Sequence, residues 1–111
     1  MRDNRSLAST SHIALLVLRL VEEEPRYGYA IIKELEARSN SHFQMKEGSL
    51  YPVLHQLEKE GLVRTEWRQQ VGKPNRRYYS ITPRGRKALA AGRDSFEAHV
   101  AAMRSVLGFS A

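Results

Sequence analysis

The stretch from residue 46 to residue 87 constrains the fold more than any other part of the chain. It opens with leucines at helical spacing, which form one apolar stripe: Leu50, Leu54 and Leu57. Ser49 suits the N-cap, which makes Pro52 a first-turn residue, and Gly61 suits the position after the last turn. These signals predict a helix over about residues 48–60.

The residues after this helix alternate in the way that β-strands do. Residues 62–69 and 76–81 each show period-two patterning, and the loop 70–75, which contains glycine and proline, joins them. In the first strand Val63, Thr65 and Trp67 alternate with Arg64, Glu66 and Arg68. In the second strand Arg77, Tyr79 and Ile81 alternate with Arg76, Tyr78 and Ser80. We call residues 62–81 the wing.

Positive charge is concentrated in and just after the wing. The whole chain has a formal net charge of +6. Residues 63–87 alone carry eight lysine or arginine side chains against the single carboxylate of Glu66, so the remainder of the chain is close to neutral. Local basic charge on a hairpin is the electrostatic signature of a polyanionic partner. The alternative is an ordinary solvated surface.

The chain before residue 46 predicts two further helices. Residues 1–10 are polar and predict a flexible N-terminal arm. Apolar spacing favours a first helix over residues 11–24, which Pro25 stops, and a second from residue 27 or 28 to residue 38. Alternation of Phe43 and Met45 suggests a short strand over residues 42–45.

The last helix is long and has its own apolar pattern. Thr82 is expected to cap it, Pro83 to begin it, and it can reach Leu107. Two sets of residues recur at intervals of seven, as in a coiled-coil seam. They are Leu89, Phe96 and Met103, and Arg93, Val100 and Leu107. Residues 83–111 are therefore interpreted as a C-terminal dimerisation helix, with its interface at Leu89, Phe96, Val100, Met103 and Leu107.

Three helices, a wing and a final helix predict a winged helix-turn-helix: a mainly α fold with a small β wing, over residues 11–82, plus the dimerisation helix. In that architecture the third helix enters the DNA major groove. Gln56 can then pair with adenine, and Tyr51 can read a base or hold a phosphate. The full set of candidate DNA-binding residues is Lys46, Ser49, Tyr51, Pro52, His55, Gln56, Lys73, Arg76 and Arg77.

Four motifs resemble those of the PadR family of bacterial transcriptional regulators. They are YGY at residues 27–29, GSLYPVL at residues 48–54, LEKEGL at residues 57–62, and GKP with RYYSIT at residues 72–74 and 77–82. The resemblance covers roughly residues 11–90 and is closest to the short members, which have a single C-terminal helix. Glu47 departs from the pattern, because proline is frequent before this glycine in the family.

The resemblance implies a homodimeric repressor on a pseudo-palindromic operator of double-stranded DNA. Carried over, Ser49, Tyr51 and Pro52 fall where the family's recognition helix meets DNA, and Lys73 falls on the wing tip. Some short members bind planar hydrophobic drugs at the dimer interface, so the expected partners include an unidentified small hydrophobic effector. No specific effector is predicted, since Trp67 is expected to pack within the wing and Phe96 within the dimer.

Other classes of function lack support in the sequence. With no cysteine and no histidines at metal-ligand spacing, neither a metal site nor a cofactor is expected, and no catalytic motif predicts an enzyme. The apolar stretch of the first helix is too short for a membrane span, so a cytoplasmic protein is expected. The alternative function is a winged-helix module that binds RNA or another protein through its basic face.

Overall fold

The computed structural model describes residues 12–109. The elements, in chain order, are α1 (His12–Glu23), β1 (Arg26–Tyr27), α2 (Gly28–Arg38), α3 (Glu47–Lys59), β2 (Val63–Gln70), β3 (Lys73–Ile81) and α4 (Pro83–Leu107). This order confirms the predicted class, a mainly helical fold with a small sheet and a long C-terminal helix. The arm predicted over residues 1–10 lies outside the described residues.

One hydrophobic core holds the first three helices, the base of the wing and the start of α4 together. Apolar side chains at helical spacing on α1, α2 and α3 converge on it, as the sequence predicts. Its largest fully buried side chains are Val17, Leu18, Val21, Ile31, Leu50, Leu54, Leu57, Tyr79 and Leu89. The core therefore fixes the orientation of α3 relative to the wing.

The sheet has three strands, in the order β1-β3-β2, and all of its pairs are antiparallel. The short strand β1 was not predicted, and it pairs Arg26 with Tyr79 and Tyr27 with Tyr78. The strand predicted over residues 42–45 is wrong, because that stretch is an irregular connection to α3. Phe43 and Met45 nevertheless pack against the core as partly buried side chains.

The wing is longer and its turn tighter than the sequence predicts. Gln70 pairs with Lys73, so only Val71 and Gly72 form the turn, instead of a loop over residues 70–75. Gly72 has a φ of 68°, a left-handed conformation that glycine adopts without strain. A register shift between Arg68 and Gln70 absorbs the extra residue on one strand. Lys73 and Asn75 consequently lie on a strand.

The start of α3 differs from the prediction. Lys46 is the N-cap residue, without a side-chain cap, and Ser49 lies inside the first turn, where its N–H donates to the Lys46 carbonyl at 3.0 Å. Pro52 therefore falls in the second turn of the helix rather than in its first turn. Glu47 occupies the first turn, where its charge is favourable to the helix dipole. The buried leucine stripe is as predicted.

The helix α4 begins as predicted and then extends away from the core. The Thr82 hydroxyl accepts a hydrogen bond from the Gly85 N–H at 3.0 Å. The buried residues of α4 all lie in its first half: Gly85, Leu89 and Gly92. Leu89 is 2% exposed within the chain's own core, which corrects its assignment to a dimer interface. None of the helices in residues 12–109 is long and apolar enough to cross a membrane.

Candidate nucleic-acid interface

The side of α3 that faces away from its leucine stripe is polar and open to solvent. Since the leucines turn inward, the candidate contact residues are all left exposed: Lys46, Ser49, Tyr51, Pro52, His55 and Gln56. Tyr51 is 40% exposed. The structure therefore leaves all six residues, on α3 or directly before it, accessible to a ligand.

Gln56 is held by its own helix. Its amide Nε2 donates to Glu60 Oε2, one turn further along α3, at 2.6 Å. An amide can make a paired contact with a base edge only with its donor free. Gln56 would therefore have to leave Glu60 before it could read a base.

The cations of the wing are not equivalent. Lys73 is exposed directly after the turn. The Arg76 guanidinium instead lies over the Tyr27 ring, 4.2 Å from its centroid, and Arg68 lies over Tyr78 at the same distance. These stacks hold both arginines against the sheet while leaving N–H groups at their edges. Lys73 is therefore an exposed charge at the wing tip, whereas Arg68 and Arg76 are stacked on the face of the wing.

Arg77 links the wing to α3. Its Nη2 donates to both carboxylate oxygens of Glu58, at 3.0 and 3.1 Å, and Thr65 donates its hydroxyl to the same carboxylate at 3.3 Å. The guanidinium also lies 6.0 Å from the Trp67 ring centroid. Its Nε is buried without a hydrogen-bond partner in residues 12–109. These contacts give Arg77, a predicted DNA contact, an internal role in fixing the wing on α3.

A cleft of about 300 Å³ lies where the start of α2, the start of α3 and the wing meet. We call it the wing cleft. It is lined by Tyr27, Gly28, Tyr29, Glu47, Tyr51, Trp67, Asn75, Arg76 and Arg77. Gly28 lets the Tyr51 ring approach α2, since a Cβ there would lie 3.3 Å from the Tyr51 hydroxyl. Of the predicted DNA contacts, Tyr51 on α3 and Arg76 and Arg77 on the wing line this cleft.

Sequence reasoning missed two aromatic residues of the cleft. Tyr29 is 53% exposed, and Trp67, which alternation predicts to face inward, is 65% exposed. Along the same wing face Tyr79 is 1% exposed, so the core covers the base of the wing and ends before Trp67. Burial raises the pKa of the Tyr79 hydroxyl above its usual value. The eight-residue length of β2 was a signal in the sequence, because a strand this long extends beyond the core and leaves Trp67 exposed.

The far half of α4 forms a second candidate surface. Large apolar side chains remain uncovered there: Phe96, Met103, Val106, Leu107 and Phe109, with Val100 half-buried. A groove of about 370 Å³ runs between α1 and α4 and is lined partly by Leu15, Leu16 and Phe96.

Within residues 12–109 no group of three histidine, aspartate or glutamate side chains is placed to hold a metal ion.

Comparison with known protein sequences finds a matching family and similar proteins. The model of the transcriptional regulator PadR-like family matches residues 17–91. An uncharacterised protein of Lysinibacillus sphaericus is 37% identical over 86 residues, covering 78% of this chain and 79% of that protein. A transcriptional regulator of Mycobacterium tuberculosis is 35% identical over 85 residues, covering 77% and 76% of the two chains.

Solved structures of transcriptional regulators superpose on the chain. A PadR family transcriptional regulator from Eggerthella lenta superposes with a TM-score of 0.78 at 29% identity, covering 86% of this chain and 80% of that one. Bacillus subtilis PadR in complex with operator DNA superposes with a TM-score of 0.67 at 22% identity, covering 73% and 46%. The latter likeness is one of fold.

Proposed function

Since this chain belongs to the PadR-like family of transcriptional regulators, we propose that it is a repressor that binds a pseudo-palindromic operator as a homodimer. The observation that carries the proposal is the wing cleft, which places the exposed side of α3 beside the most basic stretch of the chain. The operator complex of the Bacillus subtilis protein of the same fold supports DNA as the partner.

The helix α3 is the proposed reader of the operator. Ser49 and Tyr51 sit on its first turns, the part of a recognition helix that meets base edges, and His55 and Gln56 follow on the next turn. Ser49 and Gln56 supply groups that can hydrogen-bond to bases, and Gln56 suits adenine once it releases Glu60. Tyr51 and His55 flank them and can reach a base or a phosphate.

The wing is the proposed grip on the DNA backbone. Lys73 lies at its tip, and Arg76 is held on its face by Tyr27, so both can meet phosphates. Arg77 contributes mainly by tying the wing to α3 through Glu58. Phosphate contacts of this kind position the protein without reading sequence.

The exposed apolar side of α4 is the proposed dimer contact. Phe96, Val100, Met103 and Leu107 follow the seven-residue pattern beyond the chain's own core. The groove between α1 and α4 is the complementary apolar surface for the partner's α4. A two-fold axis there would set two copies of α3 about one turn of DNA apart, roughly 34 Å.

The deciding experiment is binding to a labelled duplex from the DNA upstream of the chain's own gene, against a scrambled duplex, at two salt concentrations. A preference of about a thousandfold or more for the upstream duplex would support a sequence-specific regulator. Equal and strongly salt-dependent binding to both would contradict specific recognition at this site. It would then favour RNA or a protein as the ligand of the basic face.

Two variants distinguish contacts to the DNA backbone from contacts to the bases. Lys73→Ala should weaken binding to both duplexes alike and reduce the salt slope by roughly one. Lys87→Ala removes an equal charge from α4, outside the wing cleft, and serves as the control. Gln56→Ala should instead cost about 1–3 kcal/mol at one base pair of the site, measured with point-substituted duplexes.

A further inference from the structure

Trp67 occupies an unusual position on the wing. It shares a strand face with Val63, which is 3% exposed, yet it is itself 65% exposed. The register places Arg77 directly opposite on β3. A large aromatic side chain on the core-facing side of a sheet is normally covered. This one reaches past the end of the core into the wing cleft.

A wing arginine lies beside the Trp67 ring. Arg77 lies 6.0 Å from the Trp67 ring centroid, and Glu58 on α3 fixes Arg77 through two hydrogen bonds. The guanidinium beside the Trp67 ring is therefore anchored to the proposed recognition helix, and it lies at the outer limit of cation–π distance from that ring. The ring itself is left largely open to a ligand.

The chemistry around Trp67 suits a phosphate group. The Tyr29 and Tyr51 hydroxyls and the Trp67 indole N–H can all donate, and phosphate oxygens accept. Arg76 and Arg77 line the cleft together with Glu47, the one carboxylate on its lining. Since Arg77 is paired with Glu58, Arg76 is the cation that a phosphate can meet there. The flat aromatic rings also offer apolar surface against which a deoxyribose can lie. Positive charge, donors and apolar rings together match a sugar-phosphate strand.

We propose that Trp67 is a DNA-backbone contact: its indole N–H donates to an operator phosphate, and its ring lies against the adjoining sugar. The wing cleft separates α3 from the wing tip, so the strand between the groove that α3 reads and the wing passes over it. This inference rests on the proposed function and adds a contact that neither the motifs nor the charge pattern indicates. Trp67 positions the duplex and does not read bases.

The chain contains one tryptophan, so its fluorescence reports on Trp67 alone. The experiment uses the unaltered protein, excited where tyrosine does not absorb, and measures quenching by acrylamide. The free protein should be quenched strongly. Saturation with the upstream duplex should lower the quenching constant several-fold, while saturation is followed independently by the anisotropy of the labelled DNA.

Substitutions test the proposed hydrogen bond. Trp67→Phe keeps a ring but removes the N–H, and it should weaken binding to the upstream and the scrambled duplex by a similar factor, roughly tenfold, as expected for one hydrogen bond to a charged group. Lys87→Ala is the control, since Lys87 is exposed on α4, outside both the wing cleft and the apolar side of that helix. Circular dichroism checks that each variant is folded.

The outcomes separate this inference from the proposed function. If the duplex saturates the protein while Trp67 stays accessible to acrylamide, the inference is overturned and DNA binding stands. If neither duplex binds, both fail. If Trp67 becomes protected on raising the protein concentration without DNA, a second copy covers it, which also overturns the inference.

Discussion

At the scale of single residues, Gly85 sets how closely α4 approaches the base of the wing. A Cβ at this position would lie 2.1 Å from the Leu62 carbonyl oxygen and 2.7 Å from Ile81 Cγ1. The Leu62 oxygen is part of the backbone and accepts the Thr82 N–H at 3.1 Å, so it cannot move without losing that bond. The absence of a side chain at residue 85 is therefore required by packing.

We expect Gly85→Ala to destabilise the fold by about 3 kcal/mol, because the added methyl forces α4 away from the wing. Urea denaturation followed by circular dichroism would measure the loss. Gly48→Ala is the matched control: its Cβ would meet no atom within 4 Å, and alanine should be neutral or stabilise α3 by up to about 1 kcal/mol. Equal stability of the two variants would contradict this account.

Residue-level signals in the sequence were informative where they act locally. Thr82 and Pro83 begin a helix whatever surrounds them, and the structure has that cap. Gly85 gives no such local signal, because the backbone that its missing side chain lets in belongs to Leu62, more than twenty positions earlier. Ser49 looked like an N-cap, but α3 begins two residues earlier, at Glu47.

At the scale of elements, an ion-pair cluster joins α1 to α2. Glu23 at the end of α1 accepts hydrogen bonds from Arg38 at the end of α2, and from Arg26 at 3.0 Å. Arg38 also binds Glu34 at 2.8 Å. The Arg38 hydrogen bonds are the main reason that the pKa of Glu23 falls from 4.5 to about 2.

This cluster should make stability depend on pH. Because the folded pKa of Glu23 lies below its unfolded value, its contribution is complete above pH 4.5 and is lost as the pH falls toward about 2. Glu23→Gln should therefore lower the Tm near neutral pH, and its difference from the unaltered protein should shrink on acidification. Thermal melts across that pH range measure this difference. Glu66→Gln is the control, and a Glu23 effect that persists at low pH would contradict the assignment.

Elements were predictable from the sequence where a repeating pattern was long enough. The helices and both wing strands follow from apolar periodicity, and the structure agrees with them to within a few residues. The two-residue strand β1 has no period to detect, and it exists because Tyr78 and Tyr79 offer it a partner edge. The wing turn was predicted too long, because Pro74 and Asn75 suggested a loop although they lie on β3.

At the scale of the whole molecule, the described chain leaves part of its apolar surface uncovered. The burial of α4 ends at Gly92, and beyond it Phe96, Met103 and Leu107 are 43%, 48% and 64% exposed. The seven-residue pattern indicated such a stripe, but it could not show that Leu89 belongs to the chain's own core. Which side chains a partner covers depends on tertiary packing, which periodicity alone does not encode.

The proposed homodimer gives the last prediction. Met103→Asp would place a carboxylate on the apolar side of α4 in both subunits, and burying it without a partner costs at least about 3 kcal/mol, roughly a hundredfold in the dimer dissociation constant. Ala98→Asp puts the same charge on the opposite side of the helix and should leave the assembly unchanged. Analytical ultracentrifugation across micromolar concentrations measures both. We expect the Met103 variant to lose affinity for the full upstream duplex and to keep its weak, salt-dependent binding to scrambled DNA, because each winged helix remains folded. A Met103 variant that sediments like the Ala98 variant would place the contact between copies elsewhere than on α4.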